Sequence, residues 1–473
     1  MRPRPGIPEG PYLVVGLARS GAAAALALRE RGVQVLGLDS GSPLAAKTLS
    51  DAGVELFIDE MDGRALLDRV RAVVKSPGVP AEAPAIAAAR ERGLPVLGEL
   101  ELAWRLLENE FVAVTGTNGK TTTVELIGHI HRRAGLPVVV AGNVGTPLSS
   151  LIGSLDAHAT VVCEASSFQL EDTLQFAPEA AVLLNLAPDH LDRHSSFAAY
   201  AAAKLEAFAR QDASDVAVLP ADLDSQLART AETSADGEAQ APAPNVPGAA
   251  RRIEFGWDAA AALFELDGRL WWRTQALVAL SEMRLRGRHN VENAMAAAAV
   301  CLARGLDAEA VRDGLESFAG VAHRLQEVAE IHGALYVNDS KATNVASTLV
   351  ALAAFAGRPL HLILGGQGKG QDFSSLREPV RSSCAAVYLI GEHASTIAAA
   401  LKNIEPPVSD CGDLRRAVSA AATALADEAA PARGGVQPGP VVLLSPACAS
   451  FDQFADFEAR GEAFCELVGE MQD

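Results

Sequence analysis

The segment VTGTNGKTTTVEL, which begins at Val114, has the residue types of a phosphate-binding loop. An apolar strand leads into its glycines and a helix follows, and such a loop can turn backbone N–H groups toward an anion. Lys120 adds a positive charge for the outer phosphates, and the Thr121 hydroxyl can reach a magnesium ion. The strict loop pattern would place glycine at Val114, so a plain strand–turn–helix corner is the alternative. The segment predicts that a nucleoside triphosphate binds at Gly116, Thr117, Asn118, Gly119, Lys120, Thr121 and Thr122.

Polar residues follow two other apolar runs and could serve the same nucleotide. Glu164 comes directly after the run TVVC; it is a candidate magnesium ligand, although a solvated acid at a helix start would look the same. His190 lies in the polar segment DHLDRH, and a lone histidine is more often a structural residue. Lys204 lies on a predicted helix, where a lysine is normally exposed, and nothing in its spacing indicates otherwise. These residues leave open whether the phosphate goes to water, a hydroxyl or a carboxylate.

The first 100 residues carry a different strand–loop–helix pattern. The run YLVVG and the following LARSG precede an alanine-rich helix, and Asp39 stands where a ribose-binding acid stands in a dinucleotide site. Ala18 replaces the middle glycine of that fingerprint, and its Cβ would hinder the approach of a pyrophosphate. Dinucleotide binding is therefore disfavoured, whereas a contact with another nucleotide stays open. A second turn, Ser76 to Gly78, also follows an apolar run.

The composition limits the class of partner. The chain has 473 residues, a formal net charge of −19, 49% apolar residues and 21% charged residues, which is typical of a soluble globular protein. No lysine- or arginine-rich tract is available to neutralise a phosphate backbone, so no nucleic-acid partner is expected. No run reaches the ~18 apolar residues of a membrane helix and no signal peptide is recognisable, so a cytoplasmic protein without membrane contact is expected. The six scattered cysteines disfavour a zinc site or a disulfide framework.

The alternation of apolar runs and helical patterns predicts an α/β protein of three domains. Residues 1–100 are predicted to form an N-terminal Rossmann-like domain. Residues 101–320 are predicted to form a central P-loop ATPase-like domain with a parallel sheet, and residues 321–473 a C-terminal Rossmann-like domain. Polar loops follow the carboxyl ends of the predicted strands, where open α/β sheets bind their ligands. Nothing in the pattern requires more than a monomer.

Several segments together resemble the Mur ligases, ATP-dependent enzymes that form amide bonds in peptidoglycan precursors. GTNGKTT, EASSFQL, DHLDRH with AAKL, and GRHNVENA mark the wider superfamily, which includes folylpolyglutamate synthases. NDSKATN and SPACASFDQF are more specific to the branch that adds D-glutamate to UDP-N-acetylmuramoyl-L-alanine. The resemblance covers essentially the whole chain. It implies ATP, UDP-N-acetylmuramoyl-L-alanine and D-glutamate as substrates, two magnesium ions, and a route through an acyl phosphate and a tetrahedral intermediate.

The resemblance also implies roles for individual residues. The positions that match catalytic residues are Lys120, His190 and Lys204, of which Lys204 matches a lysine that the family carbamylates. The positions that match magnesium ligands are Thr121, Glu164, His190 and Lys204. Further nucleotide contacts are implied for Asn290, Asn293, Arg324 and Asp339. Contacts with the UDP-sugar or the amino acid are implied for Ser20, Asp39, Ser76, Gly78, Asn143, His190, Lys341, Thr343, Lys369, Ser450 and Phe457.

Three alternative interpretations stay open from the sequence. A nicotinamide dehydrogenase would explain the first domain, but Ala18 and the phosphate loop disfavour it. A folylpolyglutamate-type ligase would share the central domain and leave the YLVVGLARSG domain unexplained. A non-catalytic ATP-binding regulator could keep the loop and lose Glu164, His190 and Lys204, all of which are present.

Overall fold

The described residues form three β-sheets with helices packed against them. The structure is a computed structural model and describes residues 3–190, 193–231, 244–285, 287–368, 370–428 and 439–472. It divides into two compact units, residues 1–284 with 288–318 and residues 285–287 with 319–473. The first two sheets lie in the first unit, and the third sheet lies in the second unit. The predicted α/β class is confirmed.

The first sheet has five parallel strands in the order β3–β2–β1–β4–β5. Its three central strands are short, mainly apolar runs whose residues are buried on both faces, as expected for parallel strands covered by helices. The predicted strand–loop–helix start is observed, because α1 begins at Arg19. The elements are β1 (Tyr12–Val15), α1 (Arg19–Glu30), β2 (Val35–Leu38), α2 (Ala46–Asp51), β3 (Glu55–Phe57), β4 (Ala72–Lys75), α3 (Pro84–Glu91), β5 (Val96–Gly98) and α4 (Glu99–Leu106).

The second sheet has nine strands in the order β14–β13–β12–β11–β10–β9–β6–β8–β7. In this order the seven strands β12, β11, β10, β9, β6, β8 and β7 run parallel to their neighbours, while β13 and β14 add an antiparallel edge. Its strands are β6 (Phe111–Thr115), β7 (Val138–Gly142), β8 (Thr160–Glu164), β9 (Ala180–Leu183), β10 (Val216–Pro220), β11 (Arg251–Gly256), β12 (Leu263–Leu266), β13 (Arg269–Trp272) and β14 (Gln275–Ala279). Its helices are α5 (Lys120–Arg133), α6 (Ser167–Leu170), α7 (Phe197–Leu205), α8 (Leu223–Ala231), α9 (Arg288–Ala303) and α10 (Ala308–Ser317).

The third sheet, in the second unit, has six strands in the order β15–β16–β20–β17–β18–β19. Only the β15–β16 pair is antiparallel among these strands, so the described part of this sheet is again of the doubly wound type. Its elements are β15 (Gln326–Ile331), β16 (Ala334–Asn338), α11 (Val345–Ala354), β17 (Leu360–Gly365), α12 (Arg377–Ser383), β18 (Cys384–Ile390), α13 (Ala394–Ala400), β19 (Val408–Gly412), α14 (Leu414–Glu428), β20 (Val441–Leu444) and α15 (Phe457–Gly469).

Apolar side chains on both faces of the sheets form the cores. Helix α9 shows how composition permits this packing: its alanines from Ala294 to Ala299 are completely buried, and their small side chains let the helix lie close to the second sheet. Burial removes apolar surface from water and stabilises the layers. In the described parts of the chain, no helix is both long enough and apolar enough to span a membrane.

Candidate active site

The phosphate loop joins the end of β6 to the start of α5. Gly116 and Gly119 have φ angles of +147° and +86°, which side-chain-bearing residues rarely adopt. A Cβ on Gly119 would lie 2.1 Å from Oδ1 of Asn293, so glycine is needed for the close approach of α9. Lys120 begins α5, and its Nζ donates to the carbonyl oxygens of Gly116 and Thr117 at 2.8 and 2.9 Å. The loop therefore combines glycines, which adopt backbone angles that other residues rarely adopt, with the positive charge of Lys120 at the start of a helix.

Asn185, in the loop after β9, holds the phosphate loop in place. Its Oδ1 accepts from the Asn118 N–H at 2.9 Å, and its Nδ2 donates to the Asn118 carbonyl oxygen at 3.2 Å. Its own carbonyl oxygen accepts from the Thr117 N–H at 3.0 Å. The sequence interpretation missed this residue, although an asparagine directly after an apolar run was a visible signal.

Glu164 and Thr121 meet beside the loop. The Thr121 hydroxyl donates to Oε2 of the buried Glu164 at 2.8 Å, and Nδ2 of Asn143 donates to Oε1 at 3.1 Å. The meeting follows from the sheet, because β7 and β8 are parallel neighbours that pair Gly142 with Glu164 at their carboxyl ends. Hydroxyl and carboxylate oxygens are the donors that magnesium prefers, so these residues suit the implied ion.

Lys204 is buried, whereas the side chain of a lysine on a helix was expected to be exposed. Its side chain lies on the inner face of α7, where Nζ donates to the Gly116 carbonyl oxygen at 2.8 Å and stands 4.4 Å from the ring centre of Tyr200. Burial lowers the pKa of Lys204 to about 6; the nearby Lys120 acts in the same direction, and Asp189 and Glu164 act against it. The lysine is therefore poised to be a neutral amine at neutral pH.

His190 is exposed, and its ring has contacts other than those that join Thr121, Glu164 and Lys204 to the phosphate loop. Its Nε2 lies 3.6 Å from Oδ2 of Asp189, and its ring packs edge-on against Phe168 at 5.0 Å. Within the residues that the structure describes, no three His, Cys, Asp or Glu side chains gather as a metal-binding group. Thr121 and Glu164 are thus brought together as predicted, whereas a metal bond of His190 stays a prediction.

The predicted UDP-sugar residues lie in two places: Ser20, Asp39, Ser76 and Gly78 follow strands of the first sheet, whereas Asn143 and His190 follow β7 and β9 of the second sheet. Asp39 already holds its own loops, since its carboxylate accepts from the N–H groups of Leu17 and Gly41 at 2.6 and 2.9 Å. Ser76 follows β4 and is buried, and Ser20 lies in the first turn of α1. The described structure gives Asp39 a role in shaping the loop; its contact with a ribose stays a prediction.

The predicted nucleotide residues differ in setting. Asn293 is buried on α9, and its Nδ2 donates to Oδ1 of Asn290 at 3.2 Å. Asp339, in the second unit, accepts from the Leu325 N–H at 3.1 Å and from the Ser445 hydroxyl at 2.8 Å. Burial raises the pKa of Asp339 to about 7, against the hydrogen bonds of Ser445 and Leu325 and the charge of Arg324.

The predicted amino-acid residues lie partly together in the second unit. Nζ of Lys341 stands 4.8 Å from the ring centre of Phe457. Ser450 is buried, and its hydroxyl has no hydrogen-bond partner among the described residues, so it is available to a ligand. Thr343 follows in the same loop as Lys341, and its N–H donates to the Lys341 carbonyl oxygen at 2.8 Å. Lys369, the remaining predicted contact, lies outside the described residues.

The chain matches models of three Mur ligase domains along its length. The MurD-like N-terminal domain matches residues 11–98, the middle domain matches residues 114–301, and the glutamate ligase domain matches residues 323–448. A UDP-N-acetylmuramoylalanine--D-glutamate ligase of Acidobacterium capsulatum is 43% identical over 469 residues, which cover 96% of this chain and 95% of that protein. The chain belongs to the Mur ligase family. The resemblance that the motifs indicated is thereby confirmed.

Other Mur ligases support the same placement. A UDP-N-acetylmuramoylalanine--D-glutamate ligase of Anaeromyxobacter dehalogenans is 44% identical, with 97% of each chain covered. Among solved structures, a UDP-N-acetylmuramate-alanine ligase of Thermotoga maritima aligns with a TM-score of 0.55 at 19% identity, covering 98% of this chain and all of that one. A MurF structure of Acinetobacter baumannii aligns with a TM-score of 0.56 at 17% identity over 97% of this chain and 93% of that one. These two likenesses establish the Mur ligase fold.

Two aromatic residues of this Mur ligase escaped the sequence interpretation. The Tyr200 hydroxyl donates to Oγ1 of Thr117 at 3.2 Å, and burial raises the pKa of Tyr200 to about 12. The ring of His194 stacks on Phe168 at 5.3 Å, and its Nε2 lies 3.0 Å from Oγ of Ser167. His194 is the last residue of DHLDRH and Tyr200 lies between DHLDRH and AAKL, but only the fold shows that the Tyr200 hydroxyl reaches the phosphate loop and that His194 packs beside Tyr200.

Proposed function

We propose that this Mur ligase is the ATP-dependent enzyme that adds D-glutamate to UDP-N-acetylmuramoyl-L-alanine in peptidoglycan precursor synthesis, EC 6.3.2.9. The observation that carries the proposal is the convergence of Lys120, Lys204 and the Thr121–Glu164 pair on one phosphate loop. A phosphoryl transfer to a carboxylate needs positive charge and oxygen ligands at that place. The names of the full-length relatives then indicate which carboxylate and which amine are joined.

The proposed reaction has two steps. A carboxylate oxygen of the muramoyl-alanine attacks the γ-phosphorus of ATP. The bond between the γ-phosphorus and the bridging oxygen of the β-phosphate breaks, so that ADP departs and an acyl phosphate is formed. The amine of D-glutamate then attacks the acyl carbon and forms a tetrahedral intermediate. That intermediate expels inorganic phosphate, and the nitrogen loses a proton to give the amide. No covalent bond to the protein is needed.

The residues of the loop suit the first step. Lys120 starts α5 next to the inward-facing backbone of Gly116 to Gly119, so its charge can offset the repulsion between a carboxylate and a phosphate. Thr121 and Glu164 are the residues that would hold magnesium, with His190 as a further proposed ligand. A bound magnesium ion supplies charge neutralisation at the phosphate oxygens. Asn185 keeps the loop backbone in position for the phosphates.

We propose that Lys204 is carbamylated, so that its anionic carbamate would help Thr121 and Glu164 to hold magnesium. Its low pKa supports this, because only a neutral amine can attack CO₂, and burial supplies a neutral amine near pH 7. The bond formed joins Nζ to the carbon of CO₂, and the nitrogen releases a proton. The product is an anionic ligand at the position where the unmodified side chain now donates to Gly116.

We propose the division of labour that the sequence suggested. Residues 1–100 bind the UDP-sugar, residues 101–320 bind ATP, and residues 321–473 bind the amino acid and part of ATP. Ser20, Ser76, Gly78 and Asn143 are proposed contacts of the UDP-sugar, and Lys341, Thr343, Lys369, Ser450 and Phe457 are proposed contacts of D-glutamate. The enzyme is proposed to act as a monomer in the cytoplasm, with no nucleic-acid or membrane partner.

Phosphate release tests the proposal. The protein is incubated with ATP, magnesium and UDP-N-acetylmuramoyl-L-alanine, with D-glutamate, L-glutamate or no amino acid. We expect release with D-glutamate only, together with a product that is one glutamate heavier by mass spectrometry. Release with L-glutamate alone would contradict the stereochemistry, and no release with either would contradict the ligase itself.

A further inference from the structure

A buried ion pair links the first sheet to the second sheet beside the active site. Lys75, the last residue of β4, is 0% exposed, and its Nζ donates to Oδ2 of Asp172 at 2.5 Å. Asp172 is also buried, and its Oδ1 accepts from Arg90 on α3 at 3.0 Å. The partners are 97 residues apart in the sequence: Lys75 ends a strand of the first sheet, and Asp172 lies in the turn after α6, between β8 and β9 of the second sheet. A strand cation and a helix cation from the segment of the first sheet therefore hold one carboxylate from the segment of the second.

The two partners stand at the residues that are proposed to bind substrates. Lys75 directly precedes Ser76, the proposed UDP-sugar contact, and Asp172 follows the short helix α6 that comes after Glu164. The backbones approach closely as well, since the Gly98 N–H donates to the Asp172 carbonyl oxygen at 3.2 Å. A shift of this pair would move the loop after β4 relative to the magnesium edge.

A chain of contacts leads from the pair to the phosphate loop. Nζ of Lys75 lies 3.9 Å from Oε1 of Glu171, whose Oε2 lies 3.9 Å from Nδ1 of His194. The His194 ring lies 5.3 Å from the ring of Tyr200, and the Tyr200 hydroxyl donates to Thr117. The substrate loop of the first sheet and the phosphate loop of the second are thus joined through packed polar side chains.

We propose that the Lys75–Asp172 pair is a positioning element that aligns the UDP-sugar loop with the phosphate loop for the attack on ATP. The inference rests on the proposed ligase function and names residues that the motifs did not include. A plain contact of apolar residues could hold the sheets together, but an ion pair fixes distance and direction at once. A misplacement of about 1 Å between reacting groups can cost roughly 100-fold in rate, so alignment matters more than adhesion.

The test separates alignment from stability. Asp172→Asn leaves the buried Lys75 with only the carboxylate of Glu171, 3.9 Å away, and Lys75→Met leaves Asp172 with Arg90 alone. We expect kcat of both variants to fall about 10- to 100-fold while KM for ATP and for the UDP-sugar changes less than about threefold, because each binding loop is intact by itself. The double variant Lys75→Met, Asp172→Leu replaces the pair with apolar side chains, which often restores stability. We expect its urea midpoint to recover and its kcat to stay low.

Two matched variants serve as controls. Arg4→Met removes another buried ion pair, in which Arg4 lies 3.1 Å from Glu179 at the amino ends of β6 and β9, opposite the phosphate loop; it should lower the urea midpoint without changing kcat. Lys47→Met removes an exposed lysine paired with Asp51 and should change neither. The inference is overturned if Asp172→Asn keeps kcat or if the double variant regains kcat together with stability. A wild-type protein that forms no product would instead overturn the proposed function, and this inference with it.

Discussion

Two lysines in the first unit are almost completely buried, yet their surroundings differ. Lys75 is 0% exposed and faces the carboxylate of Asp172 at 2.5 Å. Lys204 is 1% exposed and faces the carbonyl oxygen of Gly116 and the ring of Tyr200. Among the described residues, no carboxylate lies within ion-pair distance of Lys204. Its pKa falls to about 6 as a result of burial and of the neighbouring Lys120.

The difference shows how one residue type acquires two functions. A buried ammonium beside a carboxylate is stabilised by charge pairing and contributes to the structure only while the partner remains. A buried amine beside a carbonyl oxygen and a second cation loses its proton more easily and gains nucleophilic character. Lys75 therefore belongs to the contact between the segments of the first and second sheets, and Lys204 is the buried lysine that we propose takes part in the chemistry at the phosphate loop.

The largest expected effect follows from replacing Lys204. Lys204→Met should lower kcat by on the order of 10³-fold, because the phosphate edge loses its proposed anionic ligand. In CO₂-free buffer at pH 7, the same variant should be at least as stable as the wild type in urea. The pKa of Lys204 is about 6 in the folded chain, below its ordinary value of 10.5. Between these two values the unfolded chain binds a proton that the folded chain does not, so the lysine lowers the stability of the folded chain. A lower urea midpoint in the Lys204 variant would contradict the contrast between a stabilising Lys75 and a destabilising Lys204.

Replacing Lys75 should have the opposite effect on stability. Lys75→Met leaves the buried Asp172 without its closest cation, and such a loss typically costs about 3–5 kcal/mol of unfolding free energy. Arg90 remains 3.0 Å from Asp172 and should keep the loss near the lower end. Urea unfolding at pH 7 measures it, with Lys47→Met as the exposed control, for which a change below about 0.5 kcal/mol is expected. Equal midpoints for the Lys75 and Lys47 variants would contradict the role of the pair.

The pH dependence of carbamate formation sharpens the contrast further. The neutral fraction of Lys204 should be half-maximal near pH 6 and level off above pH 7, so the initial rate of carbamate formation at fixed CO₂ should rise roughly tenfold between pH 5 and pH 7. NMR with isotopically labelled bicarbonate follows the growth of the carbamate signal, and Lys204→Met identifies its source. An initial rate that keeps rising to pH 9, as for an ordinary lysine, would show that burial does not activate this amine.

The sequence predicted the fold and the phosphate loop because both depend on local patterns. Apolar runs before polar turns indicated the strands, and Gly-Lys-Thr at a helix start indicated the anion site. The burial of Lys204 was missed because a lysine on a helix is ordinarily exposed, although Phe197, Tyr200 and Leu205 stand at helical spacing on the face of α7 that also carries this lysine. The Lys75–Asp172 pair and the Asn185 contact join distant segments, and a single sequence carries no signal for such pairing. Asp39 was assigned to a ligand, and its bonds to its own loops appear only in three dimensions.

Asp339 extends the comparison to an acid, with the smallest expected effect. Burial raises its pKa from 3.8 to about 7, so between these values the folded chain holds a proton that the unfolded chain lacks, and its contribution to stability falls as pH rises. Asp339→Asn removes this titration. The stability of the variant relative to the wild type should therefore grow by about 1 kcal/mol between pH 6 and pH 7. Urea unfolding at several pH values measures the trend, and a difference that stays constant would mean that the hydrogen bonds from Ser445 and Leu325 keep the Asp339 carboxylate ionised.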